Sequence, residues 1–214
     1  MQTRILFYVL FAALGANVFA QVRDTIPARK FSVSTSIAIF TNIGSEAATN
    51  THHYEVHFKY DFTSKDKIGL KFATWSLFQP MGIQYWDGLL EMINKNSELY
   101  GSEFYPGSLR EVGLGVSYQR MFWKGLFVTI EVLPQLKTYV DNDKNKIDNG
   151  FKLYTSYHIG YHFPLFKNRM FVEPQIHCQN WLIDTNTPQN FKVIDKKWNS
   201  YFLFEPNLYI GFKF

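Results

Sequence analysis

The chain has 214 residues, a formal net charge of +4, 18% aromatic residues, one cysteine and a mean hydropathy of −0.17. That length sets one domain as the prior. The lone Cys178 excludes an intrachain disulfide and a thiolate metal cluster, and the mild charge leaves no nucleic-acid footprint.

Residues 1–20 read as a signal peptide. Arg4 supplies the positive n-region, Ile5 to Gly15 an apolar core, and Val18-Phe19-Ala20 a cleavage site before Gln21. The apolar stretch is shorter than the ~20 residues a spanning helix needs. No cysteine follows the cleavage site to carry a lipid anchor. The mature domain is therefore expected over 21–214. No later apolar run approaches spanning length, so residence in a membrane would have to come from strands. Only helices and closed barrels satisfy their backbone groups in hydrocarbon.

Period-two alternation then gives eight strands. The first, about 31–42, sets Phe31, Val33, Thr35, Ile37 and Ile39 against Ser32, Ser34, Ser36 and Ala38. The second, about 52–62, sets Tyr54, Val56, Phe58, Tyr60 and Phe62 against Glu55, His57, Lys59 and Asp61. The third spans about 67–78 and the fourth about 109–122. The fifth, about 126–140, opposes Val128, Ile130, Val132 and Leu136 to Thr129, Glu131, Gln135 and Lys137. The sixth covers about 151–163 and the seventh about 170–182. The last, from Tyr201 to Phe214, places Phe202, Phe204, Leu208, Ile210, Phe212 and Phe214 on one face.

Two regularities bind these strands into one architecture. The apolar faces carry no ionisable side chain, as a lipid face requires, because an Arg or Lys there costs about 2–4 kcal/mol at the midplane. Connections also alternate. Those at 63–66, 123–125 and 164–169 are short, while those at 43–51, 79–108, 141–150 and 183–200 are longer. Tight periplasmic turns and long extracellular loops follow that rule. The predicted fold is all-β: an eight-stranded antiparallel up-and-down transmembrane β-barrel, monomeric, in the outer membrane of a Gram-negative bacterium after cleavage near Ala20.

A soluble lipocalin-like barrel is the alternative architecture, with the apolar face turned inward. Three features oppose it. The Gly-x-Trp of its mouth is missing. The polar face mixes small residues (Ser32, Ser34, Ser36, Gly113, Gly115) with charges. Aromatics gather at strand ends, including Phe62, Trp123 and Phe166 on the turn side and Tyr54, Phe151 and Trp198 on the loop side.

The leader, the strand rhythm and the closing Leu208-Tyr209-Ile210-Gly211-Phe212-Lys213-Phe214 resemble the small eight-stranded outer-membrane barrels of the OmpX and OmpA type. The resemblance implies outer-membrane lipid and lipopolysaccharide as surroundings. It also implies recognition of the terminal Phe214 by the barrel-assembly machinery.

Three strands carry related tetrapeptides: Leu133-Pro134-Gln135-Leu136, Glu173-Pro174-Gln175-Ile176 and Glu205-Pro206-Asn207-Leu208. Proline removes a ladder donor, so a bulge or a break in pairing is expected at each.

An eight-stranded barrel has an interior that side chains just fill. Here they would include Glu55, His57, Lys59, Lys71, Glu131, Lys152, His158, His162, Glu173, His177 and Glu205, forming ion pairs rather than an open pore. A narrow channel is a further alternative. A lipid A-modifying hydrolase or acyltransferase is another, with Ser156, His158 or His177, and Glu131 or Glu173 as a Ser-His-acid group. The expected register places His158 near Gln175 and His177 near Ser156. Those residues point into the lumen while the substrate would be lipid, and no His-x-Ser signature stands at His158-Ile159-Gly160. Inward histidines four apart lie ~13 Å from each other, so His158 and His162 cannot share a metal by themselves. No cofactor is expected.

The other functional candidate is the long loop at 79–108. It holds Tyr85, Trp86, Tyr100, Phe104 and Tyr105, and Trp86 to Asn94 reads as a short amphipathic helix. The loop is read as a lid over the lumen or as a surface for cell-surface recognition, and the protein as a structural or surface-interaction barrel.

Overall fold

The computed structural model describes residues 29–43 and 49–214, so the leader at 1–20 lies outside the described residues. The strands are β1 (Phe31–Ser36), β2 (Tyr54–Asp61), β3 (Asp66–Leu77), β4 (Ser108–Trp123), β5 (Leu126–Val140), β6 (Lys146–Tyr161), β7 (Phe163–Leu165), β8 (Met170–Asp184) and β9 (Tyr201–Lys213). Each is antiparallel to its neighbour. β6 and β7 are one strand interrupted at His162, since both pair with β8. β9 then pairs with β1, and the ring closes with eight staves. Among the described residues, no helix is long and apolar enough to cross a membrane.

The turns follow local chemistry. Lys124 (φ 44°) and Gly125 (φ 104°) form a two-residue connection with both φ positive, the sense that matches strand twist. At 62–65, the Thr63 hydroxyl accepts the amides of Lys65 and Asp66. The Asp66 carboxylate accepts from Thr63, Tyr118 and Arg120.

Burial along the strands is inverted relative to a protein dissolved in water. Leu114 and Leu136 are each 64% exposed and Phe58 is 56% exposed, whereas Lys137 is 1% and Glu131 2% exposed. A soluble protein places these classes the other way round. The lipocalin-like alternative requires phenylalanines at the centre, and Phe58, Phe72 and Phe212 stand outside instead.

The first strand is shorter than its alternation predicts. It ends at Ser36, and Ile37–Asn42 winds into a 3-10 helix. The Ser36 hydroxyl accepts from the Ala38 amide at 3.0 Å, capping the turn, and donates to Asn207 Oδ1 at 2.6 Å. Past Ser36 the wall therefore lacks a β1 stave between β2 and β9.

Side chains meet several backbone groups on both edges of this gap. Asp61 N bonds Lys30 O, so odd residues of β2 aim their backbone at β1. Glu55 C=O accepts from the Thr35 hydroxyl at 2.7 Å. The Asn42 carboxamide takes both His53 N–H and His53 C=O, at 2.7 and 2.8 Å. On β9, Phe214 bonds Phe31, so even residues point at β1. Leu208 N donates to Asn207 Oδ1, and Pro206 has no N–H to place. Beyond a bulge, where Phe204 adopts φ 57°, the buried Gln84 carboxamide accepts from Leu203 N at 2.8 Å and donates to Tyr201 C=O at 2.9 Å.

The other two prolines also mark interruptions. The β4–β5 ladder skips from Gly113–Gln135 to Val116–Val132 around Pro134, without a change of register. Beside Pro174 the β6 ladder stops at Gly160–Gln175 and resumes in β7 at Phe163–Val172. The sixth–seventh register differs from the expected one by two residues. His158 lies opposite His177, and Ser156 lies opposite Gln179.

Candidate functional site

The lumen holds its charges in tiers. Nearest the turns, Lys213 Nζ lies 2.8 Å from Asp61, and Lys59 donates to Gln119 at 2.6 Å. Glu173 accepts from Gln119 and lies 2.8 Å from His162 Nδ1 and 3.5 Å from Lys59. In the middle tier, Lys71 sits between Glu131 at 2.9 Å and Glu55 at 3.2 Å. His57 and His158 flank Glu131 at 3.4 and 3.5 Å. Nearer the loops, Lys152 pairs with Glu111 at 2.5 Å, the Trp75 indole donates to Glu111 at 2.6 Å, and Lys137 pairs with Asp184. Alternation delivers these groups inward, Asp184 at the rim of the loops excepted, and burial requires that the inward ones be paired.

Ser156, His158 and Glu131 do come together. Ser156 Oγ is 2.8 Å from His158 Nε2, and it donates to Glu131 Oε2 at 3.3 Å. The acid, however, approaches the same Nε2 nitrogen, and His158 Nδ1 has no hydrogen-bond partner. A catalytic triad needs the serine on one ring nitrogen and the orienting acid on the other. Here both compete for one, so the cluster is a buried polar knot rather than an activated nucleophile. The His177 ring lies tilted 4.8 Å from that of His158, and His177 pairs with Glu205 at 2.8 Å. Glu173 belongs to the tier below and meets neither Ser156 nor His158. Among the described residues, no group of three or more His, Cys, Asp or Glu could hold a metal ion.

Two long loops close the mouth. The predicted helix in 79–108 forms as a 3-10 turn at Tyr85–Asp87 and a helix at Leu89–Ile93, separated by Gly88 at φ 91°. A second helix, Gln189–Asp195, buries Phe191 completely. Phe191 packs against Tyr105, Tyr139 and Leu109. Tyr105 OH donates to Asp195 at 2.5 Å. Burial pushes the Tyr105 phenol well up, and the Asp195 charge beside it adds to the rise. Burial also raises Asp195, outweighing the hydrogen bond from Tyr105.

The five loop aromatics divide accordingly. Tyr105 is lid core. Tyr100 stands edge-on to Phe104, and Phe104 edge-on to Phe78. Tyr85 stands edge-on to Phe202. Trp86, 62% exposed, is the most open of the five, and the exposed Leu90 and Ile93 lie beyond it on the helix. The alternation did not single out Lys67 and Phe191 as interior residues, nor Asp184 as the partner of Lys137. Lys67 and Asp184 stand at strand ends where the period is hardest to read, and Phe191 lies in a helix of seven residues.

No protein-family model matches the chain, and no curated protein matches it. Two solved structures show a likeness to the chain. One is the outer membrane protein Ail of Yersinia pestis in a phospholipid bilayer nanodisc, with 9% identity, a TM-score of 0.44, and coverage of 86% of this chain and 99% of that one. The other is the crystal structure of Ail in complex with the heparin analogue sucrose octasulfate, with 8% identity, a TM-score of 0.38, and coverage of 86% and 94%. The likeness is one of fold alone, and it does not extend to membership of the OmpX or OmpA type family.

Proposed function

We propose that this protein is a monomeric outer-membrane β-barrel of the Gram-negative envelope, exported by its leader, cleaved near Ala20 and assembled through Phe214. Its role is that of a scaffold presenting extracellular loops. The observation that carries this reading is the inverted burial: an uncharged apolar belt faces outward around a lumen of paired charges. A belt of that kind is costly in water and stable against acyl chains. The lid supports a surface role, because it buries its own core while Trp86, Leu90 and Ile93 remain outside.

Cell fractionation with protease shaving tests the location. Recovery in the outer membrane with cleavage confined to the long loops is the expected result, and recovery of folded protein in the soluble fraction overturns it. A Trp86→Ser, Leu90→Ser, Ile93→Ser variant tests the surface role. Cells carrying it should lose adhesion and autoaggregation while the barrel keeps its heat-modifiable mobility. Unchanged adhesion would leave a purely structural barrel.

A further inference from the structure

We propose that the turn end of the barrel is a binding rim for the headgroups of anionic phospholipids. The inference rests on the outer-membrane reading and deepens it by naming the lipid held at the periplasmic end. Every corner of that end repeats one arrangement, an exposed cation close in sequence to an exposed aromatic ring. Phe62 precedes Lys65 in the β2–β3 turn, and Trp123 precedes Lys124 in the β4–β5 turn. Phe166 precedes Lys167 and Arg169 ahead of β8. Lys30 stands ahead of Phe31 where β1 begins, and the Phe31 ring stacks on that of Phe214.

The backbone fixes where these cations leave the wall. Lys124 sits at φ 44°, and its Nζ lies 5.2 Å from the centre of the Trp123 ring. Lys167, at φ 57°, follows Phe166 in a turn closed by Arg169 N–H donating to Phe166 C=O at 3.2 Å. Arg29 Nη1 donates to Lys167 C=O at 3.3 Å and holds the start of β1 against that turn. Lys30 C=O accepts from Asp61 N at 2.7 Å.

No acidic side chain balances the rim. The connections 62–65, 123–125 and 164–169 contain no Asp or Glu. Asp66, at the start of β3, is taken by Arg120 at 2.8 Å, and Asp61 by Lys213 at 2.8 Å. Among the described residues, Lys30, Lys65, Lys124, Lys167 and Arg169 make no ion pair. A carboxylate at Phe214 would offset one of the five. The loop end is mixed in sign, with Glu98, Asp141 and Asp143 as well as Lys144, Lys192 and Lys196. The positive excess thus belongs to one end of the cylinder.

The distribution selects the partner. A protein docked on the barrel would contact one patch, whereas these cations stand at every corner and meet whatever surrounds the ring. Aromatic rings at this level sit at the headgroup boundary. Lysine stems lie along apolar surface and carry the ammonium out to the phosphates, and Arg169 can take a phosphate through two N–H groups. A zwitterionic headgroup brings its own ammonium and leaves the excess unmet. A lipid of net negative charge, such as phosphatidylglycerol, is therefore the occupant.

The test uses a Cys178→Ser protein carrying a bimane label at Ile68→Cys, on the outer wall near the β2–β3 turn, or at Leu182→Cys, on the outer wall at the loop end of β8. Each is reconstituted in phosphatidylcholine with increasing nitroxide-chain phosphatidylglycerol or nitroxide-chain phosphatidylcholine. At Ile68 the phosphatidylglycerol probe should reach half-maximal quenching at a roughly fivefold lower fraction, the scale of one cation meeting one anionic lipid. At Leu182 the two probes should quench alike. A Lys30→Gln, Lys65→Gln, Lys124→Gln, Lys167→Gln, Arg169→Gln variant should lose the difference at Ile68. Salt at about 0.5 M, which screens exposed charges, serves if that variant does not fold. Coincident curves at Ile68 in the unaltered rim, or a difference that survives neutralisation or salt, overturn the rim while leaving the membrane reading intact. Coincident curves with retention of the barrel on isolated peptidoglycan overturn it in favour of the cell wall. An equal preference at Leu182 overturns the assignment to the turn end. Absence of quenching by either probe at both positions overturns the membrane reading, and the rim falls with it.

Discussion

Lys71 Nζ lies 2.9 Å from Glu131 and 3.2 Å from Glu55, so one ammonium on β3 joins carboxylates from β5 and β2 across the lumen. All three side chains are buried.

Removing that cation leaves two carboxylates without their main partner. Lys71→Met should destabilise the barrel by about 3–5 kcal/mol, the usual cost of breaking a buried pair. The check is the urea midpoint followed by the gel shift between folded and unfolded forms. The Glu55→Gln, Lys71→Met, Glu131→Gln triple variant should recover part of the loss, because no unpaired charge remains.

Leu114 stands on the opposite face of its strand from the lumen charges and is among the most exposed residues of the belt. Leu114→Arg should cost about 2–4 kcal/mol in bilayers, if Leu114 sits near the midplane. The same substitution should cost little for a barrel that lives in water. Refolding into liposomes against denaturant distinguishes the two outcomes.

Gln84 joins the longest loop to β9 where β1 is absent. Gln84→Ala exposes Tyr201 C=O and Leu203 N–H without a partner and should cost about 1–3 kcal/mol. The loss should be local. Hydrogen exchange at Leu203 should accelerate while the β5–β6 amides stay protected.

The lid should respond to alkali. The Tyr105 phenol is raised in the folded state, so its contribution is fully present below the ordinary tyrosine value of about 10 and is lost as pH rises from there through the raised value. Proteolysis of 79–108 should therefore increase above about pH 10. Tyr105→Phe should blunt that dependence.

Much of this architecture is legible in the residues themselves. β5 follows its predicted bounds, because Val128, Ile130, Val132 and Leu136 alternate with Thr129, Glu131, Gln135 and Lys137 between a glycine turn and a polar loop. The charged tiers follow from parity alone. The short β1 does not, since Ile37 and Ile39 keep the apolar period while Ser36 diverts the backbone through a capping bond that no period reveals. The register of His158 fails for a related reason. The turn after β7 runs through three consecutive left-handed residues, Phe166, Lys167 and Asn168, and shortens the connection. Ser156, His158 and Glu131 could be brought together on paper, but only coordinates show that serine and acid share one ring nitrogen.

The closing pairs of the ring are few. β1 meets β9 only over Phe31–Ser36 and Tyr209–Phe214, whereas β5 and β6 are joined along nearly their whole length. Until those first and last segments meet, the lysines and glutamates of the interior have no enclosure. Completion of the cylinder thus belongs late in biogenesis, and the two short joins of β1, to β9 and to β2, are where the finished molecule should first unzip.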